Sequence, residues 1–144
     1  MNTDAALERV VRFYETITPA TLAAQLGAVY APGARFKDPF NEVQGLAPIG
    51  AIFVHMFEQV DNPRFVVTTR VAQDGQAFLT WDFLFTMKRF SKAQQCIRGA
   101  THLVFNAEGL VEVHRDYWDA AEELYEKLPL LGALMRWLRR AAQR

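Results

Sequence analysis

The sequence predicts a single α+β domain. Apolar residues recur at helical spacing through its first part, β-rich runs joined by short turn-like segments follow, and no linker, repeat or low-complexity stretch divides the two. The chain of 144 residues is the size of one domain with room for a substantial core, and its 51% hydrophobic and 12% aromatic content supplies side chains to fill one.

Leu7, Val10, Val11, Tyr14 and Ile17 fall on one helical stripe, with Asp4 placed to cap and Glu8, Arg9, Arg12 and Glu15 on the other faces. This first helix runs to about Thr16. A second starts at Thr18-Pro19, an N-cap and first-turn pair, carries Leu22, Leu26 and Val29, and stops at Pro32-Gly33. Ala34 to Asp38 reads as a short strand halted by Pro39, and Leu46 to Val60 as a third helix bearing Ile49, Ile52, Phe53, Met56 and Phe57. The period then changes: Arg64 to Ala72, Ala77 to Lys88, Gln95 to Phe105 and Leu110 to Trp118 are β-rich. Their connections, Asp74-Gly75, Phe90 to Ala93 and Asn106 to Gly109, are turn-like, which predicts an antiparallel meander. Asp119 caps a last helix containing Leu124 and Leu128, which Pro129 interrupts before Leu130 to Ala142 resumes the helical pattern.

Lysine plus arginine and aspartate plus glutamate number 16 each, so no overall field draws in nucleic acid or an acidic membrane, and no nucleic-acid partner is expected. The charge is uneven along the chain. After Glu126 there is no acid, while Lys127, Arg136, Arg139, Arg140 and Arg144 are basic. Leu124, Leu128, Leu131, Met135 and Leu138 form a stripe along this tail, with Leu130, Leu134 and Trp137 beside it and arginines opposite. Residues 127–144 therefore read as a basic amphipathic helix packed on a body of residues 1–126 or on a dimer partner; docking on a membrane surface is the lesser reading. The lone Cys96 has no internal disulfide partner, the N-terminus lacks a secretory pattern, and no stretch approaches a membrane span, so a cytoplasmic location is expected.

Three stretches, Val10 to Tyr14, Tyr30 to Pro39 and Val113 to Asp119, taken in order, resemble the nuclear transport factor 2-like and SnoaL-like superfamily, which includes ketosteroid isomerase and limonene-epoxide hydrolase. The resemblance covers roughly residues 5 to 125. It implies a cone, in which a curved antiparallel sheet wraps the N-terminal helices around a closed apolar pocket, and a homodimer joined through the sheets. The similarity to ketosteroid isomerase places Asp38, just before Pro39, at the base and Tyr14 at the oxyanion tyrosine, with Thr101 where that enzyme has a protonated aspartate. The similarity to limonene-epoxide hydrolase lies at Arg115 to Asp119, where Asp116 matches one aspartate of an Asp-Arg-Asp triad; Asp82 and Leu84 stand where the other two members belong.

Strand alternation sorts these residues by face. Glu112, His114, Asp116 and Trp118 share one; Ile97, Gly99, Thr101, Leu103 and Phe105 another; Phe78, Thr80, Asp82, Leu84 and Thr86 a third. The resemblance assigns all three to the pocket, which turns Trp81, Phe83, Phe85 and Met87 outward and calls for a dimer partner to cover them. The opposite assignment, with Leu79, Trp81, Phe83 and Phe85 inside, makes Asp82 an edge or interface residue.

The candidate catalytic residues are Asp38, Tyr14, Asp116 and His114. The candidate substrate-binding residues are Thr101, Asp82, Trp118, Phe36, His55, Phe78, Leu84 and Leu103. Carboxylates gathered in an apolar cavity share protons, pair with an imidazole or rise in pKa, the conditions for acid/base work near neutral pH. Each has a plainer reading: Asp38 as a turn residue, Tyr14 as core, the histidines as satisfied, partly buried side chains. No helical His-Glu pair, cysteine cluster or phosphate-cradling glycine loop occurs, so neither a metal nor an organic cofactor is expected. The expected function is acid/base catalysis, of isomerase or hydrolase type, on a small apolar molecule. Non-catalytic binding of such a molecule is the alternative, and an interaction module is the third.

Overall fold

A computed structural model describes residues 1–89, 91–124 and 129–143. Helix α1 (Thr3–Thr16) turns Leu7, Val10, Val11 and Tyr14 inward together with Ala6 and Phe13. Asn2, rather than Asp4, caps it, its side-chain oxygen accepting from the Ala5 N–H at 3.0 Å. Thr18 and Thr21 close a turn in which each backbone N–H donates to the other's hydroxyl, so α2 (Leu22–Val29) begins later than Thr18-Pro19 predicts.

The chain leaves α2 directly as β1 (Tyr30–Lys37), and Tyr30 to Pro32 are extended where the sequence predicts helix. Pro32 disfavours helical geometry at the residue before it, which ends α2 early. The short β2 (Glu42–Gln44), which has too few residues to show alternation, pairs with β1, and α3 (Leu46–Gln59) buries Ile49 and Phe53. Strands β3 (Val60–Gln73) and β4 (Gln76–Met87) are joined at Asp74-Gly75, both at positive φ (53° and 77°) as a two-residue hairpin turn requires. β5 (Gln94–Phe105) and β6 (Val111–Tyr117) complete the meander. Asp119 caps α4 (Ala120–Glu123), accepting from the N–H groups of Ala121 and Glu122, and α5 (Pro129–Ala142) follows. The expected continuation through Leu128, and the boundary between residues 126 and 127, lie outside the described residues.

The sheet is open and curved, in the order β2-β1-β6-β5-β4-β3. Pairing is antiparallel throughout except between β1 and β6, which run parallel. Helices α1 to α3 pack on its inner face, and the core lies between them, with Leu79, Leu103 and Val111 contributed by the strands. This is the α+β architecture the sequence predicts.

The orientation of β4 corrects one of the two face assignments. Ala77, Leu79, Trp81 and Phe85 are buried, whereas Phe78 is 54% exposed on the outer face. Cross-strand register sets this arrangement: Leu79 lies opposite Thr101 and Trp81 opposite Gly99, all facing inward. Burying Leu79, Trp81, Phe83 and Phe85 removes far more apolar area from water than burying a face that carries Thr80, Asp82 and Thr86. The outward cluster of Trp81, Phe83, Phe85 and Met87 does not form, and with it goes the argument for a dimer that rested on it.

Candidate active site

Helices α1 and α3 and the inner face of the sheet enclose a cavity of about 170 Å³. Its walls are largely apolar: Ile52, Phe53 and Met56 from α3, Phe65 and Val67 from β3, and Trp81 and Phe83 from β4. Tyr14, Asp38, Thr101, His114 and Asp116 supply the polar lining. Asp38, Asp116 and Trp118 also border an adjoining surface groove with Lys37 and Arg115, which puts them on the side of the cavity nearest that groove.

A chain of hydrogen bonds runs through the polar groups, and its direction follows from which atoms carry hydrogens. The Trp81 indole N–H can only donate, and does so to Thr101 Oγ1 at 2.7 Å. Thr101 passes its own hydrogen to Asp116 Oδ1 at 2.6 Å. The same oxygen lies 2.6 Å from His114 Nε2, so that nitrogen carries a hydrogen and a neutral ring presents Nδ1 as an acceptor. Tyr14 and Tyr30 hydroxyls reach Nδ1 at 2.6 and 2.8 Å and stand 2.5 Å from each other. Two phenolic hydrogens thus meet one ring acceptor, leaving one for the other phenol oxygen or for a ligand.

Burial is the largest influence on both phenols and pushes each well above the ordinary tyrosine value; the nearby Asp116 charge acts in the same direction. Both stay protonated donors through the neutral range. His114 is 2% exposed and Asp116 17% exposed at the side chain, so the carboxylate is the better placed to meet a ligand. Its Oδ1 takes two hydrogen bonds, while Oδ2 takes none among the described residues.

The chain's sequence from residue 10 to residue 114 matches the model of the SnoaL-like domain. The chain belongs to the SnoaL-like domain family. Solved structures agree in fold. A protein with a ketosteroid isomerase-like fold from Catenulispora acidiphila, in complex with trimethylamine, superposes with a TM-score of 0.70 at 14% identity, over 85% of this chain and 92% of that one. A nuclear transport factor 2-like protein of unknown function from Burkholderia pseudomallei gives 0.71 at 16%, over 85% and 95%. An LEH-like epoxide hydrolase of M. tuberculosis gives 0.68 at 12%, over 84% and 87%. No curated protein matches the sequence. Solved structures of this fold carry isomerase, cyclase, hydroxylase and epoxide hydrolase names at identities that fix the fold alone.

Of the residues singled out from the sequence, Tyr14, Phe36, Asp38, Thr101, His114, Asp116 and Trp118 line the cavity. Leu103 is fully buried in the core beside it. Asp82, Leu84 and Phe78 do not line it, because β4 turns its other face inward; Asp82 lies opposite Arg98 on the outer face, and Phe78 stacks on His102 there. His55 is exposed on α3, away from the stripe that carries Ile52, Phe53 and Met56.

Asp38 borders the cavity yet is largely occupied with the turn that follows it. Its Oδ1 accepts from the Phe40 and Asn41 N–H groups at 2.8 and 2.7 Å, and both oxygens accept from the Asn41 side-chain amide at 3.1 Å. The Thr101 hydroxyl hydrogen is likewise committed, to Asp116.

Sequence reasoning missed Tyr30 and the contact between Trp81 and Gly99. Tyr30 was hidden by its expected place at a helix end. Trp81 and Gly99 are one feature: the indole lies across the glycine, and a Cβ there would stand 2.5 Å from Trp81 Cζ2. The signal for it was a glycine inside a strand, which marks close approach of a neighbouring group.

Proposed function

We propose that the protein is a cofactor-independent acid/base enzyme that moves a proton on a small apolar carbonyl compound, with Asp116 as the base and Tyr14 as the oxyanion donor. The observation that carries this reading is the Asp116 carboxylate at an apolar cavity, one oxygen held by Thr101 and His114 and the other without a hydrogen bond among the described residues. In the reaction, Asp116 Oδ2 takes a proton from the carbon next to the carbonyl, the C–H electrons move into an enolate, and the enolate oxygen accepts from Tyr14. Asp116, which also borders the surface groove and can exchange its proton with water there, delivers a proton to a carbon further along the conjugated system, completing an isomerisation with no net redox change.

The cavity limits the substrate. An engineered protein cavity of roughly 150 Å³ holds one benzene, so a volume of about 170 Å³ suits a single ring or short branched chain. His114 fixes the carboxylate, and the buried phenols fix His114. Non-catalytic binding of the same class of molecule is the second reading; it is favoured by the engagement of Asp38 in its turn, which leaves a single carboxylate oxygen for chemistry.

The test is turnover of ring-sized β,γ-unsaturated ketones alongside binding followed by tryptophan fluorescence. Wild-type turnover with an Asp116→Asn variant that still binds but is slowed by about 10²–10⁴-fold, the usual contribution of a general base, supports the enzyme. Binding without wild-type turnover supports the binder.

A further inference from the structure

Helix α5 leaves an apolar face uncovered. Leu134, Trp137 and Leu138, three and four residues apart and so on one face, are 49%, 59% and 45% exposed. Gly132 is buried, and Arg136, Arg139 and Arg140 follow it at four, seven and eight residues on the opposite side. Arg139 pairs with Glu122 of α4 at 3.7 Å, both side chains half exposed. Apart from the half-buried Met135, residues 133–143 are exposed, so the helix turns its leucine and tryptophan face to water and leaves its arginines open as well.

We propose that α5 docks the protein on an anionic lipid surface. An exposed apolar stripe of this kind is stable only when covered. A second copy of the helix would cover the stripe but leave the arginines on the outer sides of the pair unneutralised, since no acid follows Glu126 in the chain to offset them. Anionic headgroups neutralise them. Leu134, Trp137 and Leu138 enter the boundary between headgroups and acyl chains, where an indole ring is well accommodated, while the long arginine side chains reach back to the phosphates. The Arg139–Glu122 pair does not oppose this, because exchanging an exposed ion pair for a phosphate contact costs little. Among the described residues no helix is long and apolar enough to cross a membrane, so the attachment is peripheral. An enzyme or binder of apolar molecules placed there meets them where they concentrate.

The test is co-sedimentation of the full chain with phosphatidylcholine vesicles, with and without phosphatidylglycerol. The expected result is binding to the anionic vesicles that weakens with added salt and is lost in Leu134→Ser/Trp137→Ser/Leu138→Ser. Each basic side chain near such a surface contributes roughly a five-fold change in partition. Arg136→Glu/Arg139→Glu/Arg140→Glu therefore lowers partition by on the order of 100-fold or more. All substitutions are on an exposed helix, and circular dichroism with a melting curve checks that the domain is intact. No binding to anionic vesicles, equal binding to neutral ones, or binding unchanged in the serine variant each overturns the proposal. So does concentration-dependent self-association that the serine variant abolishes while vesicles bind neither protein, which would identify a second copy as the cover.

Discussion

Gly99→Ala is the substitution whose consequence the structure defines most closely. Its Cβ would stand 2.5 Å from Cζ2 and 3.0 Å from Cζ3 of Trp81. Carbon atoms settle near 3.5 Å, so the indole must retreat by about 1 Å. It is 7% exposed and packed edge-on against Phe65 with ring centroids 5.5 Å apart, so it can yield only toward the cavity it lines, at the expense of those contacts. Overpacking of this kind costs roughly 1–3 kcal/mol. Stretching the Trp81 bond to Thr101 adds about 1 kcal/mol, for a total of roughly 2–4 kcal/mol. At roughly 2–4 °C per kcal/mol for a domain of this size, Tm falls by roughly 5–15 °C. Trp81→Phe removes the clashing atoms, so in that background Gly99→Ala is neutral or slightly stabilising, an alanine limiting the unfolded chain more than a glycine does. The assay is a double-mutant cycle by thermal or urea denaturation. Equal losses from Gly99→Ala in both backgrounds would refute the reasoning, since independent sites add.

Three further outcomes follow from the same geometry. Tyr14 and Tyr30 have folded pKa values above the unfolded value near 10, so they contribute stability that is complete below pH 10 and is lost as pH rises above it. In an alkaline titration at 295 nm their ionisation should coincide with loss of near-ultraviolet circular dichroism; ionisation in the intact fold contradicts it. Tyr14→Phe should lower kcat by about 10²–10³-fold through loss of the oxyanion donor; Tyr30→Phe draws the one Tyr14 hydrogen to His114 Nδ1 and should both cost about 1 kcal/mol of stability and lower kcat. Asp38→Ala removes the acceptor for the turn at residues 38–41 and should cost about 1–2 kcal/mol in denaturation, and steady-state kinetics should show most of the turnover retained.

The sequence disclosed the order of elements because long amphipathic helices and β-rich runs carry their period in their own residues. Leu7, Val10, Val11 and Tyr14 announce α1, and Asp74-Gly75 announces the hairpin of β3 and β4. What it concealed depended on neighbours. The start of β1 at Tyr30 is set by pairing with β6, and the three residues of β2 are too few to show a pattern. The facing of β4 is decided by register against β5. Reading Thr80 and Asp82 as inward followed the family's site residues; weighing Leu79, Trp81, Phe83 and Phe85 by buried area would have reversed it. Asp116, His114 and Thr101 were found together because alternation put each on its correct face. That Asp38 serves its own turn is a matter of backbone geometry, which the dipeptide Asp38-Pro39 does not encode.

The most direct test of the central claim is incorporation of solvent deuterium next to the carbonyl of a ring-sized ketone, followed by proton NMR in D₂O for wild type, Asp116→Asn and Asp38→Asn. The account predicts rapid exchange with wild type and Asp38→Asn, and a loss of about 10²-fold or more with Asp116→Asn. Exchange that survives in Asp116→Asn and disappears in Asp38→Asn would contradict it.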